Sequence, residues 1–596
     1  MQKLKNIITV VKDKSSPIYI ENIIVSLISG YLLSSIINIT LIFNSYENIQ
    51  FVTEVNVLFL IAFTVITAIG LNVAALLLKT NRVTIGALLS TATAYAGLLV
   101  YENTMDIWFG CGIAFFALLI AVWCAKQPQG IINNDFDNEK ITFICVVAMF
   151  ALFTISMSFA TIMRHRSFTT SCFDFGIFAQ MFEYMKSTGL PLTTVERNEL
   201  LSHFAVHFSP VFYLLLPGYF IFSSPEYLLI MQAIIVGAGV FGVYGIAREL
   251  GFSQKNIILC CLIYTFYPSM CFGTFYDFHE NKFLTVFILF AFYYLLKRNF
   301  AGFAVFAVLI CTVKEDAAIY LVAIALYMIL SQKMFKAGSI TLAFAVVYFI
   351  FAINMVQSFN YGSNEMQFGA RYGNFEIDGQ VGVGTIIRVV FTNLGYALKE
   401  MFTADKVAFL LWMFLPLMFA PFMTKRVSTL VLLSPMIIIN LMPNWVYQYD
   451  VGYQYTFGVA ALIFICAILS LQNMSEMRRR TVLTAGLIVC ISLTVPRYIS
   501  RTVGYTTNYN TNRKTFYNAK QLIFETVPKD AQICVDGNFV PQLYEYKEVY
   551  ITENGELRKG MEYYIVKNDY KYTAELTASG YELIAKDNFV QIYKLK

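Results

Sequence analysis

Apolar runs close to the length of a membrane crossing recur along the chain to about residue 495, and short loops carrying most of the charges separate them. A helix rises 1.5 Å per residue, so about 20 such residues cross the roughly 30 Å of bilayer hydrocarbon. Of the 596 residues, 58% are hydrophobic and only 14% charged. Soluble domains carry about 25% charged residues, and a chain this poor in charge cannot coat itself against water. A soluble enzyme is excluded. The pattern predicts an all-α polytopic membrane protein with about fifteen crossings. These lie near Ile23 to Phe43, Val55 to Leu78, Val83 to Val100, Ile107 to Cys124, Ile141 to Ile162, Tyr227 to Ala247, Ile257 to Phe275 and Phe283 to Leu296. The others lie near Ala301 to Val313, Ala317 to Leu330, Ile340 to Met355, Val407 to Met423, Val427 to Leu441, Phe457 to Leu471 and Val482 to Val495.

The net charge of +5 is spread over loops rather than gathered in one patch, which speaks for membrane orientation and against nucleic-acid binding. A cytoplasmic N-terminus puts Lys79, Arg82, Arg248, Lys255, Lys297, Arg298, Lys333, Lys336, Lys425, Arg426 and Arg478 to Arg480 on the cytoplasmic face. The opposite loops Asn44 to Glu54, Tyr101 to Asp106 and Met442 to Thr456 hold no lysine or arginine, as the positive-inside rule requires. The first span follows no cleavable signal and reads as a retained anchor. Eleven cysteines, mostly inside apolar spans, outline no disulfide or zinc framework.

This orientation leaves segments 163–226, 356–406 and 496–596 outside the cytoplasm. The proline-bearing run Phe208 to Phe222 reads as a juxtamembrane or re-entrant helix, because a full crossing there would invert every later loop. After Pro496 the apolar runs shrink to strand length in AQICV, EVYIT, EYYIV, YELIA and FVQIYKL, with helical patterns at Ala519 to Val527 and Tyr572 to Ser579. A small extracytoplasmic α/β domain is expected there. The chain thus divides into a four-helix block (1–139), a transmembrane core (140–495) and the soluble tail (496–596).

Ionisable residues at membrane depth are costly and usually face a cavity, so polar clusters at span ends are the informative ones. Asp174, in CFDFGIFAQ, stands among Phe173, Phe175 and Phe178. Apolar surroundings raise a carboxyl pKa and suit a general base; an Asp before an apolar run equally reads as a helix cap. His203 and His207 have the four-residue spacing of a helical metal pair, and a divalent metal is the cofactor they would admit, but no third ligand stands nearby and interfacial hydrogen bonding accounts for them as well. YDFHENK crowds Asp277, His279, Glu280 and Lys282 into one turn, which a solvated loop could also produce. VKEDAA places Lys314, Glu315 and Asp316 after only about a dozen apolar residues, some 18 Å of helix. That depth suggests a wet vestibule or a mutually neutralised ion pair. Arg371 and Tyr372 could hold an anionic head group, and WVYQYDVGYQY, with Tyr455, suits sugar stacking or an interfacial aromatic belt.

In this order, FDFGIFAQ (Phe173 to Gln180), HFSP (His207 to Pro210), FHEN (Phe278 to Asn281), KED (Lys314 to Asp316), RY (Arg371, Tyr372) and QY (Gln454, Tyr455) resemble a family of prokaryotic multi-pass membrane proteins defined by a domain of unknown function. The match covers about residues 140 to 596, leaving the first four spans as an added block. Relatives often carry histidine at the position of Gln454, which is assigned no role. The family in turn resembles the GT-C membrane glycosyltransferases, with an acid in the first large external loop, proline-containing juxtamembrane helices and a soluble external C-terminal domain. The resemblance implies a GT-C-like core in a prokaryotic cell membrane, a polyprenyl-phosphate-linked sugar donor and a glycan, lipid or protein acceptor outside the cytoplasm. It implies Asp174 as general base, Lys314 and Arg371 at the leaving phosphate, and His207 and His279 as donors or ligands. Glu280, Glu315, Asp316, Tyr372 and Tyr455 complete the expected substrate site. The competing reading is a transporter or flippase for a lipid-linked or anionic solute, although no internal repeat of the kind transporters show is visible. A non-catalytic scaffold whose tail binds a partner is the third.

Overall fold

A computed structural model describes residues 20–42, 46, 48–102, 106–127, 132, 136–360, 371–552, 557–558 and 560–596. Parts of the lysine-free loops 44–54 and 101–106, residues 361–370 of segment 356–406 and the first 19 residues lie outside them.

Ten helices among the described residues are long and apolar enough to cross a membrane. They match the predicted spans in segments 20–125, 139–166, 225–249, 254–275, 335–359 and 454–526. Five of the predicted crossings take another form. Lys282–Leu296, Phe300–Val313 and Ala318–Leu330 are helices of 15, 14 and 13 residues, roughly 20–23 Å at 1.5 Å per residue and short of the hydrocarbon thickness. The run 407–423 begins in the helix Ala404–Phe414 and then breaks into short turns around Pro416 and Pro421, with Met418 and Phe419 at positive φ, and the run 427–441 is divided into the short pieces Val427–Leu433, Ser434–Met436 and Ile437–Leu441. Proline lacks the N–H that a continuing helix needs. The run 208–222 likewise folds as two short pieces, Pro210–Leu214 and Leu216–Ile221.

The tail begins inside a helix. Helix Glu476–Thr526 runs unbroken through Pro496 for 51 residues, so the membrane portion and the start of the tail share one rod. All five strand-length runs form strands of one sheet: β3 (Ile533–Val535), β4 (Val549–Ile551), β5 (Tyr563–Lys567), β6 (Tyr581–Lys586) and β7 (Val590–Leu595), in the order β4-β3-β5-β7-β6. A further two-residue pair, β1 (Leu192–Thr193) and β2 (Leu201–Ser202), lies in segment 163–226. Central β3 pairs in parallel with both neighbours, Ile533 opposite Val549 and Tyr563, and is buried throughout, as a strand covered on both faces must be. One face, with Ile533, Val535, Ile565 and Ile592, packs on Phe516, Ala519 and Ile523 of the long helix. The other gathers Cys534, Tyr564, Tyr581 and Tyr593. None of the eleven cysteines, all among the described residues, is in a disulfide.

The sheet domain is docked on segment 163–226. Tyr184 Oη and Gln180 Nε2 donate to Lys547 O at 2.9 and 3.0 Å, Thr194 Oγ1 donates to Val549 O, and Asn198 exchanges two bonds with Ile551. These contacts satisfy the outer edge of β4, which would otherwise present unpaired backbone groups.

Candidate functional site

Successive helices of a bundle alternate in direction, so their ends fall into two layers. The C-terminal ends of Glu139–Arg166, Pro268–Phe275 and Phe300–Val313 share one layer with the N-terminal ends of Lys282–Leu296, Ala318–Leu330 and Phe457–Gln472. The loops at that layer carry Asp174, the 276–281 turn, Lys314 to Asp316 and Gln454 to Tyr455. The basic loops at 248–255, 297–298 and 478–480 lie at the other end.

Asp174 sits in the turn Cys172–Gly176 with φ 66°, a left-handed conformation uncommon outside glycine. The helix that follows has Gly176 at its N-cap and no side-chain cap, so capping does not explain the carboxylate. Its oxygens instead accept from Tyr276 Oη at 2.6 Å and Gln454 Nε2 at 3.4 Å, and His279 Nε2 lies 4.0 Å away. Phe175 and Phe178 are buried beside it, whereas Phe173 turns outward. Burial, outweighing the Tyr276 hydrogen bond, pushes the Asp174 carboxyl up to about 6. Gly176 packs against the sheet domain, where a Cβ would lie 2.8 Å from Val540 Cγ1. The tail therefore forms the floor of this turn.

The YDFHENK turn divides its labour. Asp277, fully buried, takes Arg164 Nη1 at 2.6 Å and the Ser171 N–H at 3.4 Å. Arg164 also donates to Phe275 O at 2.9 Å. Lys282 Nζ donates to Gln232 Oε1, Tyr276 O and Asp277 O at 2.5, 3.0 and 2.8 Å. These two residues brace the Asp174 turn against the 276–281 turn. His279 and Glu280 face inward. The Asn281 N–H lies 3.2 Å from His279 Nδ1, and burial together with the nearby Lys314 cation depresses the ring's pKa well below its usual value. Glu280 Oε2 lies 3.1 Å from His279 Nδ1 and Oε1 lies 3.7 Å from Lys314 Nζ. Burial pushes the Glu280 carboxyl up to about 7.

Lys314 is the extended residue between two helices, at the C-terminal end of one, where a cation is favoured, while Glu315 and Asp316 open the next, where anions are. Within the triplet Lys314 and Asp316 act on each other's charge, but its side chains also reach outward: Lys314 to Glu280, and Glu315 to the Phe208 N–H, from which it accepts at 3.1 Å, and to His207 Nδ1 at 2.9 Å. Asp316 lies close enough to Lys314 and Arg371 to feel both charges. Arg371 stacks 5.4 Å from the Tyr455 ring. Tyr372 is buried and donates to Ile438 O at 2.9 Å, supporting its loop rather than facing the carboxylate. Side-chain exposure falls from 22% at Asp174 and 15% at Glu315 to 1% at Lys314 and 0% at Glu280, so the acid and His207 form the rim and the Lys314–Glu280 pair the base.

The metal reading finds no support in the donor set. His203 Nδ1 pairs with Glu196 at 2.9 Å and His207 with Glu315, and no group of three or more metal-ligating side chains converges among the described residues. The histidine pair holds two separate carboxylates. Sequence reasoning missed Tyr276 and Gln454 as partners of Asp174, because each meets it only through the fold. The residue given no role, Gln454, is in contact with the acid.

No curated protein matches the sequence. Among solved structures, ArnT from Cupriavidus metallidurans, bound to undecaprenyl phosphate in one and in the apo state in another, resembles the chain with a TM-score of 0.46 and 12% identity, covering 75% of this chain and 97% of that one. The family model that matches residues 164–587 spans the site and the sheet domain together, and the chain belongs to that family, the predicted membrane protein DUF2079.

Proposed function

We propose that the protein is a membrane glycosyltransferase of GT-C type that moves a sugar from a polyprenyl-phosphate carrier to an acceptor outside the cytoplasm, with Asp174 as general base. One observation carries the reading: a half-open carboxylate with its proton affinity raised to about 6 stands in the same layer as two cations, Lys314 and Arg371, that come from distant parts of the chain. The acceptor hydroxyl gives its proton to Asp174 as its oxygen attacks the anomeric carbon. The bond from that carbon to the carrier phosphate breaks, and the phosphate leaves with the electron pair. Negative charge grows on the departing oxygen, and prearranged cations stabilise it more than they do the ground state; Lys314 and Arg371 serve there. Tyr276 and Gln454 orient the base, and Tyr455 offers the sugar a ring face. Clustering of these groups at one end of the bundle favours chemistry at one face over passage between two.

The test incubates purified protein with radiolabelled polyprenyl-phosphate sugars and cell-envelope acceptors. Transfer by the wild type and its loss in Asp174→Asn support the enzyme; unchanged transfer by that variant removes Asp174 from the mechanism. Solute uptake into proteoliposomes without covalent product would establish the transporter instead.

A further inference from the structure

A second feature of the long helix serves none of the steps above. Arg480 and Arg501 are 21 residues apart in one continuous helix, about 32 Å, or one hydrocarbon thickness. Arg497 and Arg501 therefore stand at the head-group level opposite the Arg478–Arg480 cluster, where basic residues are disfavoured. Two other arginines of that level are neutralised, Arg164 by Asp277 and Arg166 by Glu226. Arg497 and Arg501 are not salt-bridged among the described residues. Arg497 stacks 4.4 Å from the Phe272 ring, with Nη1 buried and lacking a hydrogen-bond partner, and Arg501 lies 5.9 Å from Phe275. The acid nearest them in effect is Asp450, whose Oδ1 accepts from the Gly452 N–H.

Directly beneath lies a cavity of about 260 Å³ lined by Leu152, Ser156, Phe266, Cys271, Val495 and Tyr498, among others. Tyr498 touches the same Phe275 ring as Arg501, at 5.1 Å. The cavity arises where Gln254–Thr265 breaks before Pro268. Leu152 and Ile499 on its wall are 60% and 51% exposed, so it opens sideways to the bilayer. An apolar space with almost no polar lining does not retain water, and hydrocarbon is the filler at hand. Charge above and grease below match one kind of occupant.

We infer that this cleft binds an anionic lipid, its phosphate at Arg497 and Arg501 and one hydrocarbon chain in the cavity. The site lies beside the Asp174 cluster, joined to it through Phe275 and Tyr276, and does not depend on the transfer reaction. Arginine suits it because a guanidinium offers a phosphate several donors at once and keeps its charge beside lipid.

The test is native mass spectrometry of the full chain in micelles, equilibrated with equal amounts of phosphatidylglycerol and phosphatidylcholine of identical chains. The expected result is at least tenfold preferential retention of phosphatidylglycerol, reduced to parity in Arg497→Gln/Arg501→Gln. Val495→Phe, which fills the cavity without altering charge, lowers retention of both lipids, and soluble glycerol phosphate fails to compete. Equal retention by the wild type, a preference unchanged in the double variant, or full competition by glycerol phosphate would each overturn the proposal. The wild-type comparison needs no variant to fold.

Discussion

The Arg164–Asp277 pair is the brace on which the Asp174 turn rests, and its energetics can be worked from its contacts. Asp277→Leu leaves Arg164, only 14% exposed, without its counter-ion; removing one partner of a buried pair costs about 3–5 kcal/mol. Arg164→Met strands Asp277 and costs about the same. If the two losses were independent, the double variant would lose about 6–10 kcal/mol. The structure predicts otherwise, because the double variant leaves no buried charge. What remains unpaired is the Ser171 N–H and the Phe275 carbonyl, each costing about 1–2 kcal/mol. The double variant should therefore lose about 2–4 kcal/mol, close to either single one. The measurement is equilibrium unfolding in mixed micelles, followed by the fluorescence of the chain's four tryptophans. Additive losses would show that the pair does not act as a unit and would refute the brace.

Three further outcomes follow from the site. Transfer rate should fall tenfold per pH unit below about 6, where Asp174 takes up its proton, and level off above it; a profile flat down to pH 4.5 would exclude this carboxylate as the base. Tyr276→Phe removes the hydrogen bond that favours the Asp174 carboxylate, so the acidic limb should move to higher pH while protein yield stays unchanged; a shift to lower pH would contradict the geometry. Thr194→Ala/Asn198→Ala takes away side-chain bonds to the β4 edge, each worth about 0.5–1.5 kcal/mol, and should speed proteolytic release of the sheet domain; an unchanged cleavage rate would mean that these bonds do not hold the domain in place.

The five tail strands were legible because β-branched and aromatic residues cluster in runs of strand length between turn residues, and the spans because each is continuous in sequence. The helices around residues 282–330 are each shorter than the hydrocarbon thickness, yet the first two connect the Asp174 layer with the basic loop at 297–298. The helix continues through Pro496, although an internal proline usually ends one, with its apolar face packed on the bundle and later on the sheet. Asp174 was visible as an acid beside aromatic residues, but Tyr276 and Gln454 lie 102 and 280 positions away in sequence. Such contacts have no local period to betray them. The KED triplet suggested ion pairing among neighbours, whereas the break between two helices sends Lys314 and Glu315 to different partners.

The unbroken rod from Glu476 to Thr526 also fixes the phase of everything beyond the membrane. A helix advances about 100° and 1.5 Å with each residue, so one residue added between Arg501 and Phe516 would rotate the sheet off its seat and leave the Gly176 turn with nothing beneath it. Descendants of this sequence can lengthen their loops freely, but in that stretch they can change spacing only by whole turns.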